Sequence, residues 1–453
     1  MQLRVCRVVR CTWSVRASIV VVLILAMGNI AQAQYTRACG TPSPLSSRGP
    51  APIADATGRP HLGGGGLELV PSICVSERYD SNVYFAPPTP GLRRDDFVTN
   101  VNPQLRVNHH GEYADGYLEA GGFSETYINS PGLNYIGTAD TLYLNLDNSI
   151  RRLLPNATLS ITDNVRYTPT PPGFSNPIAG TSPGSPANIQ NIYAQGLLSY
   201  RANNLTNNAT VLTSYNVTPL TSLNASYSHA ILRFGAAPVT SASQLTLFDT
   251  TSQTATIGAK TQLSARDTLS VTYSRSQSEF ISHATSIPST FFNVDSAILG
   301  WARTLTSYLT AQIGGGAIVI DPGLTTYALN ASVMLNTPNH NATISYARSA
   351  APSYIGVGVP IISDSFSLTA IQKIALQWQL AETAAYVHSS GGSSPATVRY
   401  DSYFASVDLY YWMTNIWSTA LSFDYMNFDS EFASAKTSYD RYTVTISLKA
   451  AWN

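Results

Sequence analysis

The final stretch of the chain, Tyr442 to Trp452, constrains the fold more than any other. It reads Tyr-Thr-Val-Thr-Ile-Ser-Leu-Lys-Ala-Ala-Trp. Successive side chains of an extended strand point to opposite faces. Tyr442, Val444, Ile446, Leu448, Ala450 and Trp452 therefore form one face, and Thr443, Thr445, Ser447, Lys449 and Ala451 the other. The first face is apolar throughout and bounded by an aromatic residue at each end. A strand of a soluble sandwich alternates in this way over about five or six residues, whereas about eleven is the length of a tilted strand that crosses a bilayer. Such strands need a closed barrel, because lipid cannot satisfy an open edge.

The rest of the chain is built from matching material. Charged residues are 11% of the sequence, against about 25% in an ordinary globular protein. A disordered chain is poor in aromatics, and this one holds 26 Tyr, 14 Phe and 6 Trp. Arg4, Arg7, Arg10 and Arg16 precede or open an apolar run from Ala17 to Met27, and Ala31-Gln32-Ala33 follows as a small-x-small cleavage site. This predicts a secretory signal peptide over 1–33, too short in its apolar part to span a bilayer as a helix. Without its four arginines the chain has 22 basic against 26 acidic residues. No basic stripe remains to neutralise phosphates, which argues against nucleic acid as a partner.

Residues 34–66 are rich in Pro, Gly and Ser and end in Gly63 to Gly66, which predicts a flexible periplasmic leader. Of four cysteines, Cys6 and Cys11 fall in the signal and Cys39 and Cys74 outside it. Two cysteines in an oxidising compartment can form one disulfide; spacing alone leaves the proximity of Cys39 and Cys74 open. Cys39 lacks the apolar residues that precede a lipidated cysteine.

From residue 67 to 453 the chain divides into segments of roughly ten to sixteen residues, separated alternately by tight turns and longer polar loops. Tight connections fall near His109 to Gly111, Leu153 to Asn156, Thr218 to Thr221, Ser264 to Asp267, Thr304 to Ser307, Thr337 to Asn339, Lys373 to Leu376 and Trp412 to Asn415. The longest loop is Pro169 to Tyr200, and the last runs from Asp429 to Thr437. The reading is all-β: a transmembrane antiparallel β-barrel of about 18 strands with both termini periplasmic. The first strand and the compact Asp321-Pro322-Gly323 turn are its weakest elements, and losing either moves the count toward 16.

No constellation for catalysis, cofactor or metal emerges. The seven histidines are scattered, with no pair at zinc-ligand spacing, and Gly314-Gly315-Gly316 sits inside a strand, where glycine marks a kink or bulge. The expectation is a protein that is not an enzyme. What remains is the lumen, for which the in-phase polar residues Arg106, Tyr143, Asp147, Arg166, Asp408, Asp424, Arg441 and Lys449 are the candidate lining. A barrel of this size holds an aqueous channel. Lining of both charge signs implies weak ion selectivity, and amides with aromatic rings suit sugars.

Residues 71–107 carry a resemblance. Pro71-Ser72, then Ser76-Glu77-Arg78-Tyr79-Asp80-Ser81-Asn82, a Pro-rich loop, and Asp95-Asp96-Phe97 with Val101-Asn102-Pro103-Gln104-Leu105 resemble the opening of the β-barrel porin families associated with exopolysaccharide and exosortase systems. The resemblance implies an outer-membrane barrel, porin-like or linked to polysaccharide secretion, and brings no catalytic residues. Cys74 inside the motif hints at a local disulfide. Asp80, Asn82, Asp95 and Asp96 have hard-cation donor chemistry, but their spacing matches no loop motif, and turn capping is the simpler reading. The C-terminal strand resembles the targeting signal of outer-membrane barrels, displaced by Asn453, which implies the barrel-assembly machinery as a partner. The expected function is a channel for small hydrophilic solutes or saccharides in outer-membrane lipid. Alternatives are a component of exopolysaccharide export and a structural barrel with a closed lumen. Porin-like barrels often form homo-oligomers, though no strand set names an interface.

Overall fold

The computed structural model describes residues 66–85, 87–88, 93–168, 203–235, 248–282, 289–321, 323–352, 360–391, 398–432 and 435–452. The expected signal peptide, most of the leader and Cys39 lie outside the described residues. Eighteen strands follow one another along the chain. The first six are β1 (Leu67–Asp80), β2 (Asp96–His110), β3 (Asp115–Tyr127), β4 (Tyr135–Asn145), β5 (Ala157–Thr168) and β6 (Asn204–Asn216). Next come β7 (Thr221–Phe234), β8 (Phe248–Gln262), β9 (Asp267–Ser282), β10 (Thr290–Thr304), β11 (Leu309–Asp321) and β12 (Leu324–Asn336). The last six are β13 (His340–Pro352), β14 (Pro360–Ala375), β15 (Trp378–Gly391), β16 (Val398–Trp412), β17 (Trp417–Phe432) and β18 (Ala435–Ala451). Each pairs antiparallel with the next, and β1 also pairs with β18, so the sheet closes without an edge.

Seven of the eight expected tight connections are tight turns, and all eight connections lie at one end of the barrel; the one expected near Leu153 to Asn156 is instead an eleven-residue link, 146–156, that holds a short helix. Thr218, Ser264, Thr306, Thr337 and Thr414 each accept, at the side-chain hydroxyl, the backbone N–H three residues on. Both ends of the wall lie at this same end. The His110 N–H donates to the Gly66 carbonyl, and the Trp452 N–H donates to Pro71. The Asp321 turn is present, with Gly323 at φ 88°. The loop expected over 429–437 is much shorter: β17 runs on to Phe432 and β18 begins at Ala435, so the last strand has 17 residues rather than eleven. Glycine does not mark a bulge at 314–316, where the β10–β11 register is continuous. A Cβ on Gly316 would instead meet the Ala297 carbonyl head-on, so the backbones approach closely there.

One phase of the alternation carries nearly all the exposed large apolar residues, such as Ile73 and Val75 on β1, Leu421 and Phe423 on β17, and Ile446 on β18. That phase is the outer face. Its band is bounded on the turn side by Trp301, Trp417, Trp452 and a stacked Trp378–Tyr411 pair, and on the loop side by tyrosines. Ten residues separate Trp452 from Tyr442; at ~3.4 Å each and a tilt of ~45° they rise ~24 Å, the height of a bilayer-spanning apolar band. The loop-side tyrosines are fixed by a recurring clasp. Tyr273, Tyr346, Tyr386 and Tyr425 donate their hydroxyls to Asp295, Asp364, Asp401 and Asp440 at 2.5, 2.6, 2.9 and 2.8 Å. Three of those aspartates also face a guanidinium: Arg275 at 3.8 Å, Arg348 at 2.6 Å and Arg399 at 3.2 Å, the last with the His388 ring at 2.8 Å from the same carboxylate. Such charge belongs at the headgroup level, so the wall stands above the bilayer on the loop side. A closed wall with this outer face is an integral outer-membrane barrel.

Acidic side chains interrupt this phase in places: Asp140 on β4 and Asp163 on β5 share it with Leu142, Leu144 and Ile161, and Glu382 on β15 does so as well. Glu382 lies on the outer face midway between the girdle residues Trp378 and Tyr386, with Ala370 and Val407 as register partners. Replacing Glu382 with Leu is expected to stabilise the folded barrel in lipid by about 1–2 kcal/mol, below the midplane cost of a basic residue. Denaturant titration of the two proteins in vesicles checks it, and equal midpoints would contradict the placement.

Candidate functional site

The inner face is divided into two sectors. From β6 to β15 its described residues are mostly hydroxyl, amide or small, and the ionisable ones, Lys260 and Lys373, lie near the turn ends. Serine and threonine hydroxyls on neighbouring strands bond across this sector: Ser252–Ser278 at 3.0 Å, Ser274–Ser296 at 2.7 Å, Ser345–Ser367 at 2.7 Å and Ser363–Ser389 at 2.7 Å. Cross-strand pairs of this kind stabilise the wall and satisfy the hydroxyls. Strands β16 to β18 and β1 to β5 carry charge of both signs.

Sequence-predicted residues occupy this charged sector with one exception. Arg106 on β2, Tyr143 on β4, Arg166 on β5, Asp408 on β16, Asp424 on β17, and Arg441 and Lys449 on β18 stand at inward-facing positions. Asp147 does not. The alternation Tyr143, Asn145, Asp147 stops at the end of β4, and Asp147 opens a four-residue helix, Asp147–Ile150, in the connection to β5. There its carboxylate accepts the Leu159 N–H at 2.9 Å, a turn role at the end of the barrel.

Near the loop end, the inward residues of β1, β3 and β18 form a chain of charge. Arg441 donates to both Asp80 oxygens at 2.9 and 2.6 Å, and Arg78 lies 3.6 Å from the same carboxylate. Arg78 also grips Glu125 through two bonds of 3.0 and 3.1 Å, and the Tyr127 hydroxyl donates to Glu125 at 2.5 Å. The Asp80 side chain is 2% exposed, so its two guanidiniums must offset the loss of hydration. Asp80 also accepts the Asn82 N–H at 3.1 Å, the turn cap expected of that motif. Asp96 is held by the Asn129 backbone and side-chain N–H groups. Among the described residues no group of three or more His, Cys, Asp or Glu is gathered to hold a metal ion.

The segment after Asp80 folds inward over this chain. Val83 packs on Val98 and Tyr127, and Phe85, with φ 54°, sits beneath the Arg441 guanidinium at 4.5 Å. Phe85 belongs to a larger apolar layer on the inner face at the loop ends of the strands. Phe234, Phe280, Phe292, Ile320, Phe428 and Tyr439 are its principal members, with ring stacks at Phe280–Phe292 and Tyr400–Phe428. The sequence reading expected a polar interior throughout, and this layer corrects it. Arg78, Glu125 and the inward fold of 81–85 were also missed. The spacing Cys74, Ser76, Arg78, Asp80 was the available signal for the first of them.

Three inward cations, Arg106, Arg166 and Lys449, have no ion pair among the described residues. Arg106 donates to Asn108 at 2.8 Å and lies 4.0 Å over the Tyr117 ring, which stacks on Tyr143 at 5.6 Å. Cation and rings form an array on the turn-side half of the lumen.

No protein-family model matches the chain, and no curated protein matches it. Solved structures similar to it include OccK1 (OpdK) of Pseudomonas aeruginosa, with 13% identity, 86% of this chain and 100% of that chain covered and a TM-score of 0.43. OccK3 (OpdO) of the same organism has 14% identity, 85% and 96% coverage and a TM-score of 0.41. The siderophore receptor PirA of Pseudomonas aeruginosa has 7% identity, 85% and 80% coverage and a TM-score of 0.40. The assignment of the fold rests on the strand pairing itself.

Proposed function

We propose that the barrel is an outer-membrane channel for the passive passage of small hydrophilic solutes, with its short turns and both termini in the periplasm. The observation that carries this reading is the turn-side half of the inner face. Hydroxyls, amides and the cations Arg106 and Lys449, which have no ion pair among the described residues, line it, which suits water and polar solutes. Nearer the loops the inner face turns apolar, and an apolar stretch of a pore limits conduction by dewetting where it is narrow. Short periplasmic turns and longer external loops are the rule for bacterial barrels.

The charged sector makes this testable. Arg106→Glu and Arg166→Glu are each expected to shift the reversal potential in a salt gradient toward cations, by about a twofold change in permeability ratio for a wall of mixed sign. Reversal potentials unchanged in both variants would remove these residues from the conducting path. A second reading, an outer-membrane component of exopolysaccharide export, draws on the resemblance of residues 71–107 and on the hydroxyl-rich wall with its inward rings. Deletion of the gene with loss of surface polysaccharide, restored by the wild-type chain, supports that reading; unchanged polysaccharide removes it.

A further inference from the structure

We propose that the outer face of β3 to β7 is a contact between two copies of this chain, which meet about a two-fold axis along the bilayer normal near Ala209. The apolar band that faces lipid elsewhere is interrupted here. On β5, Asp163 lies between Ile161 and Val165 in the outward phase. The aromatic girdle around it is complete. Tyr215 pairs with Ala157 on the turn side and Tyr167 stands on the loop side, both outward and 41% and 39% exposed. The levels of Ala157 and Tyr167 are ten residues apart, the span of Trp452 to Tyr442 on β18, and Asp163 lies six residues from one and four from the other. Asp140 is its diagonal neighbour on β4, opposite Ala120 and Val165. Two carboxylates therefore stand near the middle of the bilayer on one side of the barrel.

Lipid tails offer these groups nothing. Asp163 accepts the Asn207 side-chain amide at 2.7 Å and Asp140 accepts the Gly121 N–H at 3.2 Å, and among the described residues neither meets a cation. A carboxylate has about four acceptor sites, so most of their capacity is left for another molecule. Ionisable groups at this depth are rare unless something pairs with them. The same face carries the complement. His229 is outward on β7, in one register row with Asp163 across Ala209, and its ring has no hydrogen bond among the described residues. A two-fold axis close to Ala209 turns the β5 side of each copy toward the β7 side of the other, so acid meets imidazole on both sides of the axis. Small outward residues, Ala120 and Gly122 on β3, Ala209 on β6 and Ala225 on β7, let the two walls approach. Five strands at ~4.8 Å spacing are about 24 Å wide, which over a band of ~24 Å gives roughly 600 Å² from each copy. Two such faces bury about 1,200 Å², the lower end of specific interfaces. Glu382 on β15 lacks this setting, since its register partners Ala370 and Val407 are apolar.

Whether the lumen conducts has no bearing on this contact or on its test. The mature chain, refolded in mild detergent, is measured by sedimentation equilibrium, and a dimer is expected. Asp163→Leu removes charge from the lipid face and is expected to fold, but to raise the dissociation constant of the dimer about tenfold, the scale of one or two polar contacts in lipid. Glu382→Leu is expected to leave that constant unchanged. In phospholipid vesicles oxidised with copper phenanthroline, Ala209→Cys is expected to form a disulfide between copies, and Val407→Cys on the far side of the barrel is not. A monomeric wild type, a dimer equally tight in Asp163→Leu, or a link through Ala209→Cys no more frequent than through Val407→Cys overturns the proposal.

Discussion

Replacing Asp80 with Ala is expected to destabilise the barrel by about 3–5 kcal/mol, the cost of breaking a buried ion network at one member. The Asp80 carboxylate faces Arg441 at 2.6 Å and Arg78 at 3.6 Å with almost no access to water. Its removal leaves Arg441 over the Phe85 ring without its hydrogen-bonded carboxylate and with only the more distant Asp424 acting on it, while Arg78 keeps Glu125. It also frees the Asn82 N–H, the first turn of the segment that folds into the lumen. Asp80→Asn keeps an acceptor for Asn82 and loses only the charge, so its cost should be smaller. The double variant Asp80→Leu with Arg441→Met should recover most of the loss, because apolar residues of similar volume often replace a buried pair at little cost. Urea unfolding of the mature barrel in phospholipid vesicles measures all three. An Asp80→Ala protein within about 0.5 kcal/mol of wild type, the range of an ordinary surface substitution, would show that the network contributes nothing.

The second large effect concerns the phase of the wall. Leu421 and Ser422 are adjacent on β17 but point to opposite sides. Leu421 lies midway between Trp417 and Tyr425 on the lipid face, 50% exposed and paired with Ile446. Ser422 faces the lumen with Asp408 as register partner. Leu421→Arg places a cation at the bilayer midplane and should cost about 2–4 kcal/mol. Ser422→Arg places the same side chain beside a carboxylate on the inner face and should stay within about 1 kcal/mol of wild type. Denaturant midpoints of both variants in one lipid decide the matter. The reverse ranking would mean that the inner and outer faces are exchanged.

Much of the wall was legible in the sequence because its determinants are local. Strand alternation, polar tight turns and bounding aromatics recur within ten or so residues, so strand number, most turn positions and face followed without tertiary information. Local reasoning failed where a determinant lies elsewhere. Asp147 continues the alternation of β4 in sequence, yet its carboxylate is used by Leu159 across the turn. Asp80 finds Arg441 at a separation of 361 residues and Arg78 finds Glu125 at 47, so the charge chain exists only once β1 meets β18. The apolar layer was hidden for a different reason. Phe280 and Phe292 sit at strand ends, where an inward aromatic residue looks in sequence like an outward one beside a loop, and only the β9–β10 register separates the two. The short 433–434 connection was missed because the polar run from Asp429 to Thr437 reads as loop, although its residues pair above the bilayer.

The central claim is that the lumen conducts. Single-channel recording of the refolded mature barrel in a planar bilayer, with and without oligosaccharides, tests it most directly. Stable conductance steps are expected, blocked by sugar if the hydroxyl wall takes saccharides. A correctly folded barrel that gives no steps would contradict the account and leave a closed structural barrel, sealed at its apolar layer.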